Sequence, residues 1–204
     1  MHIRSYAFVI SAAVALYTAP LSAANARAPE QKPARQEAKV AQLPVKTADA
    51  KVLKSQLYAT ATKLGAKGKY QRAAQHLDQV VARFPTSPVA LYTRALAHHN
   101  LGNDDLAVRD TSKAIALDPG SANSYFVRGA ALQSKGDFES ALRDYVQVVS
   151  LVPDHESAYL AMGTAYFSVG SYERAVASLD KAIELNGAEP TYFLLRGLSN
   201  REAG

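Results

Sequence analysis

The chain has 204 residues, of which 48% are hydrophobic, a formal charge of +5 and no cysteine. This is ample apolar material for one domain with a core, whereas the lack of thiols excludes disulfides, thiolate metal sites, a cysteine nucleophile and a lipidated amino-terminal cysteine. The positive excess is concentrated before residue 52: residues 52–204 carry 16 basic and 15 acidic side chains, so the folded part is nearly neutral and no nucleic-acid partner is expected.

Residues 1–26 read as an export signal. Arg4 supplies a basic start, residues 7–19 an apolar run of thirteen, and Ala24 and Ala26 the small side chains that suit cleavage after Ala26. The run is too short to cross a bilayer as a helix, so no transmembrane segment is expected. An uncleaved anchor or an organellar transit peptide is the competing reading, since the first acid is Glu30; the uninterrupted apolar core favours a secreted or periplasmic destination. Residues 27–48, with Pro29, Pro33 and Pro44, scattered charge and little apolar periodicity, are expected to form a disordered linker.

From residue 49 onward the chain repeats itself every 34 residues. Gly68, Gly102, Gly136, Gly170 and Gly204 form one series, Pro85, Pro119 and Pro153 a second, Ala73, Ala107, Ala141 and Ala175 a third, and Gly129, Gly163 and Gly197 a fourth. Each glycine of the first series suits the left-handed end of a helix. Asn103, Asp137 and Ser171 follow it directly and can cap the next helix. The prolines stop that second helix, and Pro88 and Pro190 fit the first turn of a new one. Small residues such as Ala107 and Gly129 mark the close approach of two helices.

These series resemble the tetratricopeptide repeat family, a helix-turn-helix unit of about 34 residues. The resemblance implies an all-α, right-handed solenoid over residues 49–204, with repeats at 54–87, 88–121, 122–155 and 156–189 and a terminal half-repeat at 190–204. Position 7 of the repeat, usually leucine in the family, is Arg94, Arg128 and Arg196, and position 23 on the facing helix is Asp110 and Asp144. Where the arginine is missing the aspartate is missing too, as in Met162 with Ser178 and Thr60 with His76. Arg94 with Asp110 and Arg128 with Asp144 are therefore expected to be structural charge pairs rather than substrate contacts.

Partners of such solenoids commonly lie in the concave groove formed by the first helices. The resemblance places Tyr58, Tyr92, Phe126 and Leu160 there as apolar anchors, with Phe167 beside them and His99, Asn123 and Gln133 as uncharged polar readers. That wall implies a protein or peptide ligand. Family members that grip an acidic carboxyl-terminal peptide use Lys, Asn and Arg at positions occupied here by Tyr58, Thr62, Thr93, Asn123 and Val127, so this clamp is absent. His98 and His99 are adjacent and diverge on a helix, and the DHE at 154–156 falls on a turn where capping is the expected role. With no phosphate loop, nucleophile elbow or metal spacing, neither an enzyme nor a cofactor nor a metal is expected.

The expected function is that of an exported, non-catalytic adaptor or assembly factor, with a self-assembling solenoid, a homo-oligomer joined through its carboxyl-terminal end, as the alternative. Phe193, Leu194, Leu195 and Leu198 are many apolar residues for one exposed helix. That helix either caps the fourth repeat, continues into a longer array or self-associates. Intact-mass analysis of the exported chain is expected to give a mature start at Arg27, and a retained amino terminus would overturn the export assignment.

Overall fold

The computed structural model describes residues 63–65 and 67–204. The expected signal at 1–26, the expected linker at 27–48 and Tyr58 lie outside the described residues. After a short helical stretch at 63–65, eight helices follow: α1 Tyr70–Arg83, α2 Pro88–Asn100, α3 Asp104–Leu117, α4 Ala122–Ser134, α5 Phe138–Leu151, α6 Glu156–Ser168, α7 Tyr172–Leu185 and α8 Pro190–Ala203. No strand occurs among the described residues.

The helix ends follow from local chemistry. Gly102, Gly136 and Gly170 turn the chain between the helices of a hairpin at φ of 74°, 82° and 74°, a region in which a Cβ is strained. Pro88 and Pro190 occupy the first turn of α2 and α8, where no intrahelical amide bond is lost. Ser87, Ser121, His155 and Glu189 cap the first helix of each unit by accepting a backbone N–H with the side chain. The second helices differ from expectation. Asp137 accepts the Ser140 amide at 3.1 Å, but Asn103 and Ser171 make no side-chain cap. The backbone is nearly the same at all three, so the full negative charge of Asp137 at the helix amino terminus is what distinguishes it.

Successive helices pack as antiparallel hairpins, α2 with α3, α4 with α5 and α6 with α7, and α8 closes over α7. First helices also touch across hairpins, α2 with α4, α4 with α6 and α6 with α8, and no comparable contact joins α3 to α5 or α5 to α7. The first helices therefore form the inner, concave layer. Covered from several sides, α6 buries Ala158 and every residue from Leu160 to Ala165. Its sequence accordingly lacks the one-sided apolar stripe of a surface helix.

Two glycines permit the closest hairpin contacts. A Cβ on Gly129 would lie 2.6 Å from Tyr145 Cε1, and one on Gly163 would lie 2.7 Å from Leu179 Cγ. Each large side chain of the second helix thus sits in a notch of the first, and buries its apolar surface there. Gly197 holds the same repeat position, but a Cβ there would meet nothing within 4 Å. Gly129→Ala is expected to lower stability by roughly 1–3 kcal/mol through overpacking, while Gly197→Ala should be neutral or raise it by up to about 1 kcal/mol through helix propensity. Urea unfolding of both variants checks this, and equal effects would refute the notch as the cause.

Candidate functional site

The inner wall is built from the first helices, where repeat positions 2, 5, 9, 12 and 13 are the ones expected to face the groove. Tyr92 on α2 is half-buried and packs against the cluster of Ala95, Ala107, Val127 and Ala131. Phe126 on α4 is also half-buried, with ring centroids 5.9 Å from Tyr145 and 5.0 Å from His155. Both rings bridge to the next first helix while keeping part of their surface open.

Leu160 is a correction to the expected anchor ladder. It is 6% exposed and belongs to the core cluster of Leu179, Ala182, Tyr192 and Leu195. The physical reason is coverage by the following helix: α8 brings Tyr192 and Leu195 over it. Leu194, one repeat later, has no following helix among the described residues and is 58% exposed. Phe167 is half-buried, packs on the Leu160 cluster and meets Tyr172 edge-on at 5.3 Å.

Two of the three expected polar readers are engaged inside the fold. His99 Nδ1 lies 2.6 Å from Asp104 Oδ1, tying α2 to the start of α3. Gln133 accepts the Tyr145 hydroxyl at 2.9 Å and donates to Thr164 Oγ1 at 3.1 Å, so one amide links α4, α5 and α6. Burial pushes the Tyr145 phenol far above its ordinary pKa, which keeps it a neutral donor. Asn123 is exposed at the start of α4. Sequence reasoning missed Val89, exposed on α2 at the same repeat position as Asn123; Ser134 and Ser168 are also exposed, at the ends of α4 and α6.

The position-7 arginines reach in two directions. Arg94 donates from Nε to Asp110 Oδ2 at 2.6 Å and from Nη2 to Asp110 Oδ1 at 2.9 Å, while its Nη1 donates back to Asp78 at 2.9 Å. Arg128 does the same with Asp144, at 2.8 and 2.7 Å, and its Nη1 reaches Ser112 Oγ at 3.3 Å. Arg196 keeps the backward arm, Nη1 to Asp180 at 2.9 Å. The backward partners also recur at the 34-residue period, a signal present in the sequence. Asp110 and Asp144 are both buried, and a buried carboxylate needs such a fork of donors. The hydrogen bond to Asp144 holds the Arg128 guanidinium above its ordinary value, against the opposing effect of burial.

Other titratable groups are tied into the scaffold as well. His155 Nδ1 accepts the Ala158 amide at 3.2 Å, and Glu156 accepts from Asn186 Nδ2 at 3.0 Å and from the Tyr192 hydroxyl. Burial lowers the pKa of His98. Among the described residues, no group of three His, Asp or Glu side chains is placed to hold a metal ion.

The family model described as tetratricopeptide repeat matches residues 58–122, 126–190 and 160–204. The fold is similar to that of MamA 41-end from Desulfovibrio magneticus RS-1, at 24% identity and a TM-score of 0.69 over 74% of this chain and 85% of that one. It is also similar to TTC0263, a thermophilic TPR protein in Thermus thermophilus, at 23% identity and a TM-score of 0.62 over 74% and 83% of the two chains. A third similar structure is the first TPR of Spaghetti (RPAP3) bound to HSP90 peptide SRMEEVD, at 28% identity and a TM-score of 0.55 over 61% of this chain and 96% of that one. No curated protein matches the sequence.

A double-mutant cycle with Arg128→Gln and Asp144→Asn is expected to show coupling of roughly 1–3 kcal/mol in unfolding free energy, because removing either partner strands the other. Additive losses would sever the link between this pair and hairpin packing.

Proposed function

Because the chain belongs to the tetratricopeptide repeat family, we propose that it is an exported, non-catalytic adaptor or assembly factor that holds a peptide or protein segment along the wall of its first helices. The single observation that carries this reading is the mixed character of that wall. Half-open rings of Tyr92, Phe126 and Phe167 alternate with the exposed Val89, Asn123, Ser134 and Ser168. Such a surface excludes water at its anchors and offers short amide and hydroxyl groups to a peptide backbone. The similar RPAP3 domain holds an HSP90 peptide, which supports peptide binding as a use of this architecture.

The chemistry argues for a ligand other than an acidic tail. Thr93 donates its hydroxyl to the Val89 carbonyl at 2.8 Å, and Val127 is 4% exposed, so neither offers a cation at the positions of the family's carboxylate clamp. The ligand that fits is an uncharged segment with spaced aromatic or aliphatic side chains. Its destination outside the cytoplasm rests on the basic, apolar and small-residue succession of residues 1–26.

The test is photo-crosslinking in cells, with the probe at Asn123 and a control probe at Val146, which is 48% exposed on the second helix α5. Capture of one discrete protein from Asn123 alone is the expected result. Equal capture from both positions, or none from Asn123, would overturn the groove reading.

A further inference from the structure

Asn186–Gly187 is the only Asn–Gly step in the 204-residue chain. It lies in the turn between α7 and α8, where the three earlier repeats place Pro85, Pro119 and Pro153 in the position of Gly187. The backbone before it barely registers the exchange: φ and ψ are -129° and 66° at Phe84, -142° and 86° at Asp118, -136° and 89° at Val152, and -147° and 89° at Asn186. The chemistry differs more. Proline has no amide N–H, whereas Gly187 presents one next to a side-chain amide, is exposed, and lacks the Cβ that would hinder its approach. Among the described residues the Gly187 N–H donates to no acceptor.

The Asn186 side chain is held at both ends. Its Oδ1 accepts the Ala188 amide at 3.2 Å, which polarises the Cγ carbonyl, and its Nδ2 donates to Glu156 Oε1 at 3.0 Å. Glu156, the first residue of α6, also accepts the hydroxyl of Tyr192 on α8, a buried side chain. One carboxylate thus joins α6, the α7–α8 turn and α8, and both of its donors are neutral.

We propose that Asn186 is a site of spontaneous deamidation, and that the acid it leaves loosens the junction of α6 with α8. After rotation about the Asn186 Cα–C bond, the Gly187 nitrogen attacks Asn186 Cγ. The Cγ–Nδ2 bond breaks, and ammonia departs with the Gly187 amide proton, leaving a cyclic imide. Water then opens the ring. Cleavage of the new bond to Cγ gives aspartate, and cleavage of the original peptide bond gives isoaspartate, so the balance is one water consumed and one ammonia released. Aspartate replaces the donor facing Glu156 by a second carboxylate, which repels it. Isoaspartate loses the same donor and also adds a methylene to the backbone of the turn. The proline turns of the earlier repeats exclude this chemistry, so the array ages at one place. This site is separate from the inner wall and stands or falls apart from the groove reading.

The full chain is incubated in mildly alkaline buffer and peptide-mapped by mass spectrometry at intervals, with chromatographic separation of the aspartate and isoaspartate forms. Conversion at Asn186 is expected several-fold faster than at Asn123, an exposed asparagine followed by Ser124. It should disappear in Gly187→Pro, which the backbone at Asn186 already suits; circular dichroism checks that this variant is folded. The consequence is read separately in Asn186→Asp, where amide hydrogen exchange across α8 should quicken by about tenfold. Glu156→Gln in the same chain should recover most of that loss, because a glutamine can donate to the new carboxylate and still accept the Tyr192 hydroxyl. An Asn186 left intact, conversion at Asn123 that keeps pace, or conversion that persists in Gly187→Pro would overturn the site. Unchanged exchange in Asn186→Asp, or a loss that Glu156→Gln does not recover, would overturn the junction as its consequence.

Discussion

The structure depends on a guanidinium that bonds forward and backward at once. Arg94 joins α1 through Asp78 and α3 through Asp110, and Arg128 joins α3 through Ser112 and α5 through Asp144. A single hairpin cannot cover both faces of its helices, so an array of this type is held by contacts between neighbours. A planar side chain with five donors suits that task, because one group can satisfy a buried carboxylate within its hairpin and still reach the hairpin before it. The cost is that Asp110 and Asp144 are committed: once desolvated, they require the arginine.

This arrangement also shapes the inner wall. The first helices are drawn into contact, and the rings at position 5 become bridges between them, Tyr92 toward Val127 and Ala131 and Phe126 toward His155. The Tyr145, Gln133 and Thr164 chain runs through the same layer and couples α5 to α6 by way of α4. A wall so tied is preorganised, so a segment held there as proposed would meet side chains whose ordering cost was met in folding. Much of its polarity is consumed by the scaffold, and the surface open to a ligand is narrower than the side-chain inventory suggests.

The fold was legible in the sequence because its determinants recur at one spacing and each has a local cause: a left-handed turn at Gly136, a helix start at Pro88, a notch at Gly129. The pairing of Arg94 with Asp110 could also be read, since the two residue types come and go together between repeats. The site was less legible because exposure at a repeat position is set by the next helix. Tyr92, Phe126, Leu160 and Leu194 share one position yet range from half-buried to buried to exposed. Likewise, nothing local marks Gln133 as bound to Tyr145 and Thr164.

Met162 interrupts the arginine series, and its neighbours sixteen residues away on either side are Val146 and Ser178 in place of acids. The junctions therefore carry three kinds of pairing: Asp78 with Arg94 and Asp180 with Arg196, Ser112 with Arg128, and Val146 before Met162. Exchanging the α4–α5 and α6–α7 hairpins would set Val146 before Arg196 and Ser112 before Met162, leaving one cation without its acceptor and one hydroxyl facing a thioether. The array thus has a grammar, in which hairpins of the same shape are not freely interchangeable.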